Sequence, residues 1–182
     1  MGFYLITIGI IQFLALYLGI EGSGNNMPLY HLYVGIEFFW IWILLKPIIP
    51  TPKNSSALFI GALLAFEVFV IINSAWIQDM SEYPSFTRTT ESILIIAVSI
   101  YYFYSTLIQK MEKNLLRSPF FWLASGLLIY FSCNLLLFIF GNYISDRSSP
   151  LFRSLWSVHA VLNILLYLSY SVAVLCNPKS NK

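Results

Sequence analysis

Glu37 lies inside the run YVGIEFFWIW, and His159 and Asn163 lie inside LWSVHAVLNILLY. In such surroundings a carboxyl, an imidazole and an amide can bind a polar ligand, carry a proton, or tie helices together by hydrogen bonds. An ionised group at the centre of a membrane span costs about 2.5–3.5 kcal/mol on insertion scales, so its position is informative. His31, Glu67, Glu91 and Asn134 extend the set. Trp156, His159, Asn163, Tyr167 and Tyr170 are spaced +3, +4, +4, +3, which is one face of a helix. Tyr30, Tyr33, Glu37 and Trp40 make a similar face. A polar and aromatic face on a membrane helix is expected to point toward other helices. His31 lies about 120° round from Glu37, so these two need not share a partner.

The elements that must hold these groups are apolar. Of 182 residues, 58% are hydrophobic and 10% charged, and the mean hydropathy is +0.75. Soluble domains carry about 25% charged residues, so this chain has too little polar surface to face water. Crossing a bilayer takes about 20 apolar helical residues. Six segments approach that length: 3–20, 29–45, 57–77, 89–108, 120–143 and 152–176. The stretches between them (EGSGNNMP, KPIIPTPKNSS, QDMSEYPS, QKMEKNLLRSP and SDRSSP) are rich in turn and helix-stop residues. None is long enough to separate domains. The expected fold is all-α, a polytopic transmembrane helix bundle of six spans forming a single domain over 1–182.

Basic residues set the expected orientation. Lys46, Lys53, Lys110, Lys113, Arg117, Lys179 and Lys182 fall on one side, against Arg88, Arg147 and Arg153 on the other. Both termini are therefore expected to be cytoplasmic, in the cell (inner) membrane. Glu21, Asp79, Glu82 and Asp146 fall outside. The first span has no Lys or Arg before it, unlike a secretory signal. So abrupt a start leaves room for a preceding helix.

Counted from the outer face at about 1.5 Å per residue, His31 and Glu91 lie in the first turn of their spans. His159 and Asn134 come roughly 10 Å down, and Glu37, Glu67 and Asn163 roughly 13–16 Å down. The inner runs FFWIWILL, ALFIGALLAF, FFWLASGLLIY and ILLYLSYSVAVLC hold no charged or amide group. The expectation is a polar pocket open to the extracytoplasmic side, floored by aromatic and aliphatic packing. Its ligand-binding residues would be Glu37, His159, Asn163, Asn134, His31, Glu91, Tyr33 and Trp156.

Each residue also has a structural reading. His159 and Asn163 would then cross-link helices. Glu67 would be a protonated structural acid, His31 an interfacial ring, and Glu91 would be steadied by Arg88 and a helix N-terminus. Ala57, Gly61 and Ala65 on the third span, and Ser169 and Ala173 on the sixth, have the spacing of packing seams. Cys133 and Cys176 fall in apolar runs at different depths, which predicts two buried free thiols and no disulfide.

The stretches NNMPLYHLYVGIEF, WIQDMSEYPSFTRTTESIL, FWLASGLLIYFSCN and LWSVHAVLNILLYLSY together resemble a group of uncharacterised small bacterial multi-pass membrane proteins. The same pattern is similar to the membrane-embedded input regions of some sensor histidine kinases. The resemblance covers roughly residues 25–176. It implies a sensory module, often with one more N-terminal span, and transfers no catalytic residue.

No P-loop, GxGxxG, HExxH, CxxC or GxSxG is present. No lysine lies deep in a span, which excludes a retinal Schiff base. The NSS at Asn54 matches a glycosylation pattern but falls on the expected cytoplasmic side. The net charge of +2, with no basic cluster, implies no nucleic acid. The reading is a sensory or ligand-binding module without a cofactor. Its partners would be the lipid bilayer, a separate cytoplasmic or membrane signalling protein, and copies of itself. One alternative is an intramembrane metal-dependent enzyme acting on lipid, with zinc on His31, His159 and a carboxylate. The other is a small-solute transporter, for which no inverted repeat or broken span is evident.

Overall fold

The computed structural model describes residues 2–20, 25–48, 55–109, 114–144 and 150–176. The fold is all-α, with no strand among the described residues. Six helices follow in order: α1 (Gly2–Ile20), α2 (Met27–Leu45), α3 (Ser55–Ile72), α4 (Ser85–Gln109), α5 (Pro119–Ile139) and α6 (Pro150–Leu175). A π-helical turn, Asn73–Ile77, continues α3, and a 3₁₀ turn, Leu115–Arg117, precedes α5. Five of these helices are long and apolar enough to cross a membrane; α1 offers a shorter apolar stretch, Gly2–Leu18. The chain is an integral membrane protein.

It divides into two compact units, Met1–Glu91 and Ser92–Lys182, with α4 beginning in the first and continuing in the second. In the first unit α1 buries Tyr4, Ile8, Ile11 and Ala15, one helical stripe. On α2 the stripe is Val34, Phe38, Ile41 and Leu45. Aromatic rings join α2 to α3. Phe38 meets Phe66 with ring centroids 3.8 Å apart, and Trp42 stacks on Phe59 at 5.2 Å. The Trp42 indole N–H donates to the Phe59 carbonyl at 3.0 Å. That bond satisfies a donor lipid cannot serve.

In the second unit α5 and α6 pack as neighbours. Leu123, Leu127, Tyr130, Asn134 and Phe138 are buried on α5, and Leu166, Tyr170 and Ala173 on α6. The Leu116 carbonyl accepts from the Trp122 indole at 2.9 Å and from the Cys176 thiol at 3.7 Å, which pins the 3₁₀ turn to the adjoining ends of both helices.

α4 is amphipathic in reverse. Thr87, Arg88, Glu91, Ser92, Ser99, Ser105 and Thr106 are buried, while Ile93, Ile100, Tyr104, Leu107 and Ile108 are exposed. In water this arrangement would be unstable, whereas in lipid it is the expected one.

Two packing expectations need correction. Ala57, Gly61 and Ala65 are exposed, and a Cβ placed on Gly61 would meet nothing within 4 Å. Spacing alone does not say that a second helix is present. The Ser169–Ala173 seam does pack, because Gly126 lets α5 come up against Ser169. Both cysteines are free, but Cys133 is exposed and Cys176 half-buried, since an apolar environment on a membrane helix includes lipid as well as protein.

Candidate functional site

The first unit gathers a charged cluster near the start of α4. Glu37, in the third turn of α2, is 2% exposed. Arg88 and Glu91, one turn apart on α4, are 5% and 0% exposed. The Arg88 Nη1 donates to Glu37 Oε2 and to Glu91 Oε2, the second at 2.6 Å. One guanidinium nitrogen thus serves two carboxyls from two elements. The other Glu37 oxygen, Oε1, accepts from the Tyr33 hydroxyl at 2.8 Å, and the Gln12 amide of α1 donates to that hydroxyl at 3.2 Å. The guanidinium lies 5.1 Å from the centre of the Tyr33 ring, a cation–π distance. Tyr30 stands between Tyr33 and Tyr83, at 6.5 and 6.4 Å. The Tyr83 hydroxyl, in hydrogen-bonding contact with Arg88, is held neutral by burial, which pushes its ionisation above the usual phenol range.

Glu67 of α3 joins this region through Gly35. A Cβ on Gly35 would lie 2.9 Å from Glu67 Oε2, so the missing side chain is what admits the carboxyl against α2. Glu67 is within electrostatic range of Glu91. Its Oε1 is shielded from solvent and has no hydrogen-bond partner.

His31 turns away from the carboxylates, as its angular offset from Glu37 allows. Its Nδ1 meets the Ser74 hydroxyl at 2.8 Å and its Nε2 the Glu82 carbonyl at 3.2 Å. A carbonyl only accepts, so Nε2 carries the proton and Ser74 donates to Nδ1. Ser74 belongs to the π-helical turn, a widened turn that α-helical geometry would not allow. The Gln78 backbone N–H closes that turn on the Asn73 carbonyl at 2.9 Å. The Gln78 amide bonds Tyr83 O and Ser85 Oγ, fixing the loop that returns to α4.

The second unit carries a separate polar centre. His159 Nδ1 meets Asn134 Oδ1 at 3.0 Å, and His159 Nε2 meets Asn163 Nδ2 at 3.3 Å. The Asn134 Nδ2 is committed to the Tyr130 carbonyl at 2.8 Å, which turns its oxygen toward the imidazole. His159 therefore donates from Nδ1 and accepts at Nε2, as a neutral ring. Trp156, Tyr130 and Phe138 surround it, with ring centroids 5.1, 5.8 and 5.9 Å from the imidazole.

Within the first unit, Glu37, Tyr33 and Glu91 come together and His31 stands apart from them. Within the second, His159, Asn163, Asn134 and Trp156 come together. Arg88, the hub of the first cluster, is missing from the residues expected from sequence, because it counts there as a loop charge. The helix begins at Ser85, so Arg88 lies inside it. The available signal was charge balance: Glu37, Glu67 and Glu91 lie in spans, and Arg88 is the cation nearest Glu91 along the chain. Ser74, Tyr83 and Gln12 carried no such signal. Lys53, Lys110, Lys113, Lys179, Lys182, Arg147, Glu21, Asp146 and Asn54, which bear on orientation and on the glycosylation pattern, lie outside the described residues.

Among the described residues no group of three or more His, Cys, Asp or Glu side chains is placed to hold a metal ion. Comparison with known proteins gives no matching family model, no matching curated protein and no matching solved structure.

Proposed function

We propose that this integral membrane protein is a sensory or ligand-binding module that reads a small ligand or lipid head group from the extracytoplasmic side. It passes a helix displacement to a separate signalling partner. The observation that carries the reading is the buried Arg88, shared between Glu37 of α2 and Glu91 of α4. A charged tie of this kind holds firmly while paired and is costly once one partner is withdrawn. A ligand that neutralises one carboxylate, or competes for the guanidinium, shifts the balance between two positions of α2 against α4. A ligand can move such an equilibrium only by its differential affinity for the two states. The second unit carries, by itself, the neutral His159 centre, ringed by aromatics and of different chemistry. The excess of Lys and Arg in the second and fourth loops supports the inner membrane with both termini cytoplasmic.

The test is hydrogen exchange on the full chain in nanodiscs, reading peptides from α2 and from the start of α4. The probes are phosphate, acetate, methylammonium, glycerol phosphate and phosphoethanolamine. At least one is expected to change exchange in both helices of the wild type and to lose that effect in Arg88→Gln. No response to any probe overturns the reading. Uptake of a probe into sealed vesicles replaces it with transport.

A further inference from the structure

We propose that the first unit binds a proton as its ligand: the Glu37–Arg88–Glu91 cluster holds one, on Glu91, and Glu67 beside it holds another. The inference deepens the sensory reading at the same site and rests on it only for what the proton signals. The site itself stands on the bonding pattern.

Glu37 has a donor on each oxygen, the Tyr33 hydroxyl on Oε1 and Arg88 on Oε2. Because Gln12 donates to the Tyr33 oxygen, the Tyr33 proton is directed at Glu37. That is the environment of a carboxylate. Glu91 differs. Its Oε2 accepts from Arg88, but Oε1 has no partner, and the residue is 0% exposed. An ionised oxygen left bare in an apolar span is far more costly than a neutral hydroxyl left bare. The unpartnered Oε1 is where a proton belongs.

Charge balance gives the same result. Glu37 and Glu91 both ionised would leave one guanidinium against two carboxylates. The groups facing them do not make up the difference. α1 contributes the neutral Gln12. α2 contributes Tyr30 and Tyr33, and His31 is engaged with Ser74 and Glu82 O. The loop contributes neutral Tyr83; Asp79 and Glu82 there are exposed carboxyls and add no positive charge. α3 adds Glu67, a further carboxyl. Lys46 lies at the far end of α2. Glu91 is in the second turn of α4, beyond the reach of most of the half-charge at the helix N-terminus. Among the described residues no three His, Cys, Asp or Glu side chains are placed to hold a metal ion, and a hydrogen ion on the unpartnered Glu91 oxygen supplies the balancing charge.

With one proton on the Glu37–Glu91 pair the cluster is neutral. Removing that proton sets two carboxylates against each other across Arg88. Adding a second leaves Arg88 without a counter-charge. The proton is therefore exchangeable, and its loss or gain acts on the tie between α2 and α4.

Infrared spectra of the full chain in liposomes of phosphatidylcholine and phosphatidylglycerol test this. The protonated-carboxyl stretch is expected at neutral pH. Glu67→Gln should remove about half of it, the share of one of two protons. Glu91→Gln and Glu37→Gln should each remove the other half, because the surviving carboxylate then takes Arg88 alone. Circular dichroism checks that each variant keeps its helices. Dicyclohexylcarbodiimide, which adds to protonated carboxyls to give an N-acylurea, should modify Glu91 and Glu67 in preference to Glu37 by peptide mass spectrometry. The absence of the stretch, its survival in all three variants, or modification of Glu37 in preference to Glu91 overturns the proposal. A failed hydrogen-exchange response would sink the sensory reading and leave these bands in place.

Discussion

Gly126 of α5 lies so close to Ser169 of α6 that a Cβ on the glycine would sit 2.6 Å from the Ser169 Cβ and 2.7 Å from its Oγ. The Ser169 Cβ is fixed to its backbone and cannot swing aside. Adding a methyl group therefore forces the helices apart, an overpacking cost of about 1–3 kcal/mol. Gly126→Ala should lower the thermal unfolding temperature of the protein in detergent, and adding Ser169→Gly should restore part of the loss. Gly61→Ala, with nothing within 4 Å, is the control and should melt like the wild type. Equal melting of Gly126→Ala and wild type would count against the close packing.

Arg88→Met removes at once the donor shared by two buried carboxyls and the counter-charge of Glu37. Breaking a buried pair by deleting one partner costs on the order of 3–5 kcal/mol. Glu37→Gln should be milder, because Arg88 keeps Glu91 and the Tyr33 hydroxyl keeps an acceptor. The ordering, read by chemical unfolding in mixed micelles, is Arg88→Met well below Glu37→Gln and Glu37→Gln below wild type. The double variant should lie above Arg88→Met alone, since one uncompensated carboxylate has gone. Additive losses would contradict a shared tie.

The two histidines should be opposite tautomers. His31 faces the Glu82 carbonyl through Nε2, and His159 faces the Asn134 carbonyl oxygen through Nδ1. Solid-state nitrogen spectra of histidine-labelled protein in lipid at neutral pH should show one Nε2–H ring and one Nδ1–H ring. Asn134→Ala should disturb the second and leave the first alone. Two rings of the same tautomer would mean that one of these amide or hydroxyl partners is turned the other way.

How far the site was legible follows from what each clue encodes. Helix periodicity encodes angle, and it placed Trp156, His159 and Asn163 on one face and turned His31 away from Glu37. Depth counting put His159 and Asn134 level, and they bond. Burial was harder to read, because an apolar residue on a membrane helix faces lipid as comfortably as protein. Ala57, Gly61 and Ala65 carry a seam's spacing and lie exposed. Arg88 stayed hidden because a cation near a span end reads as a loop charge until the helix start is known. The buried Ser99, Ser105 and Thr106 were equally silent, since hydroxyls shift hydropathy little. Gln78 and the π-helical turn depend on side-chain to backbone bonds that have no sequence period.

Asp79 ties solvent pH to the first unit. The Ser81 backbone N–H donates to Asp79 Oδ1 at 2.7 Å, and this bond holds the exposed carboxyl below its usual range. A carboxyl lowered on folding stabilises above its unfolded value of about 3.9, and that contribution is lost as pH falls through the lower folded value. The same turn is closed by the Glu82 N–H on the Asp79 carbonyl at 3.0 Å, and the Glu82 carbonyl is what His31 holds. Protonating Asp79 should therefore loosen the turn and the His31 contact together. Amide protection at Ser81 and Glu82, corrected for intrinsic exchange rates, should hold from pH 5 down to about 4 and decline as pH is lowered further in the wild type. In Asp79→Ala it should be low and flat across that range. Protection that falls equally in both proteins would assign the acid response to some other group.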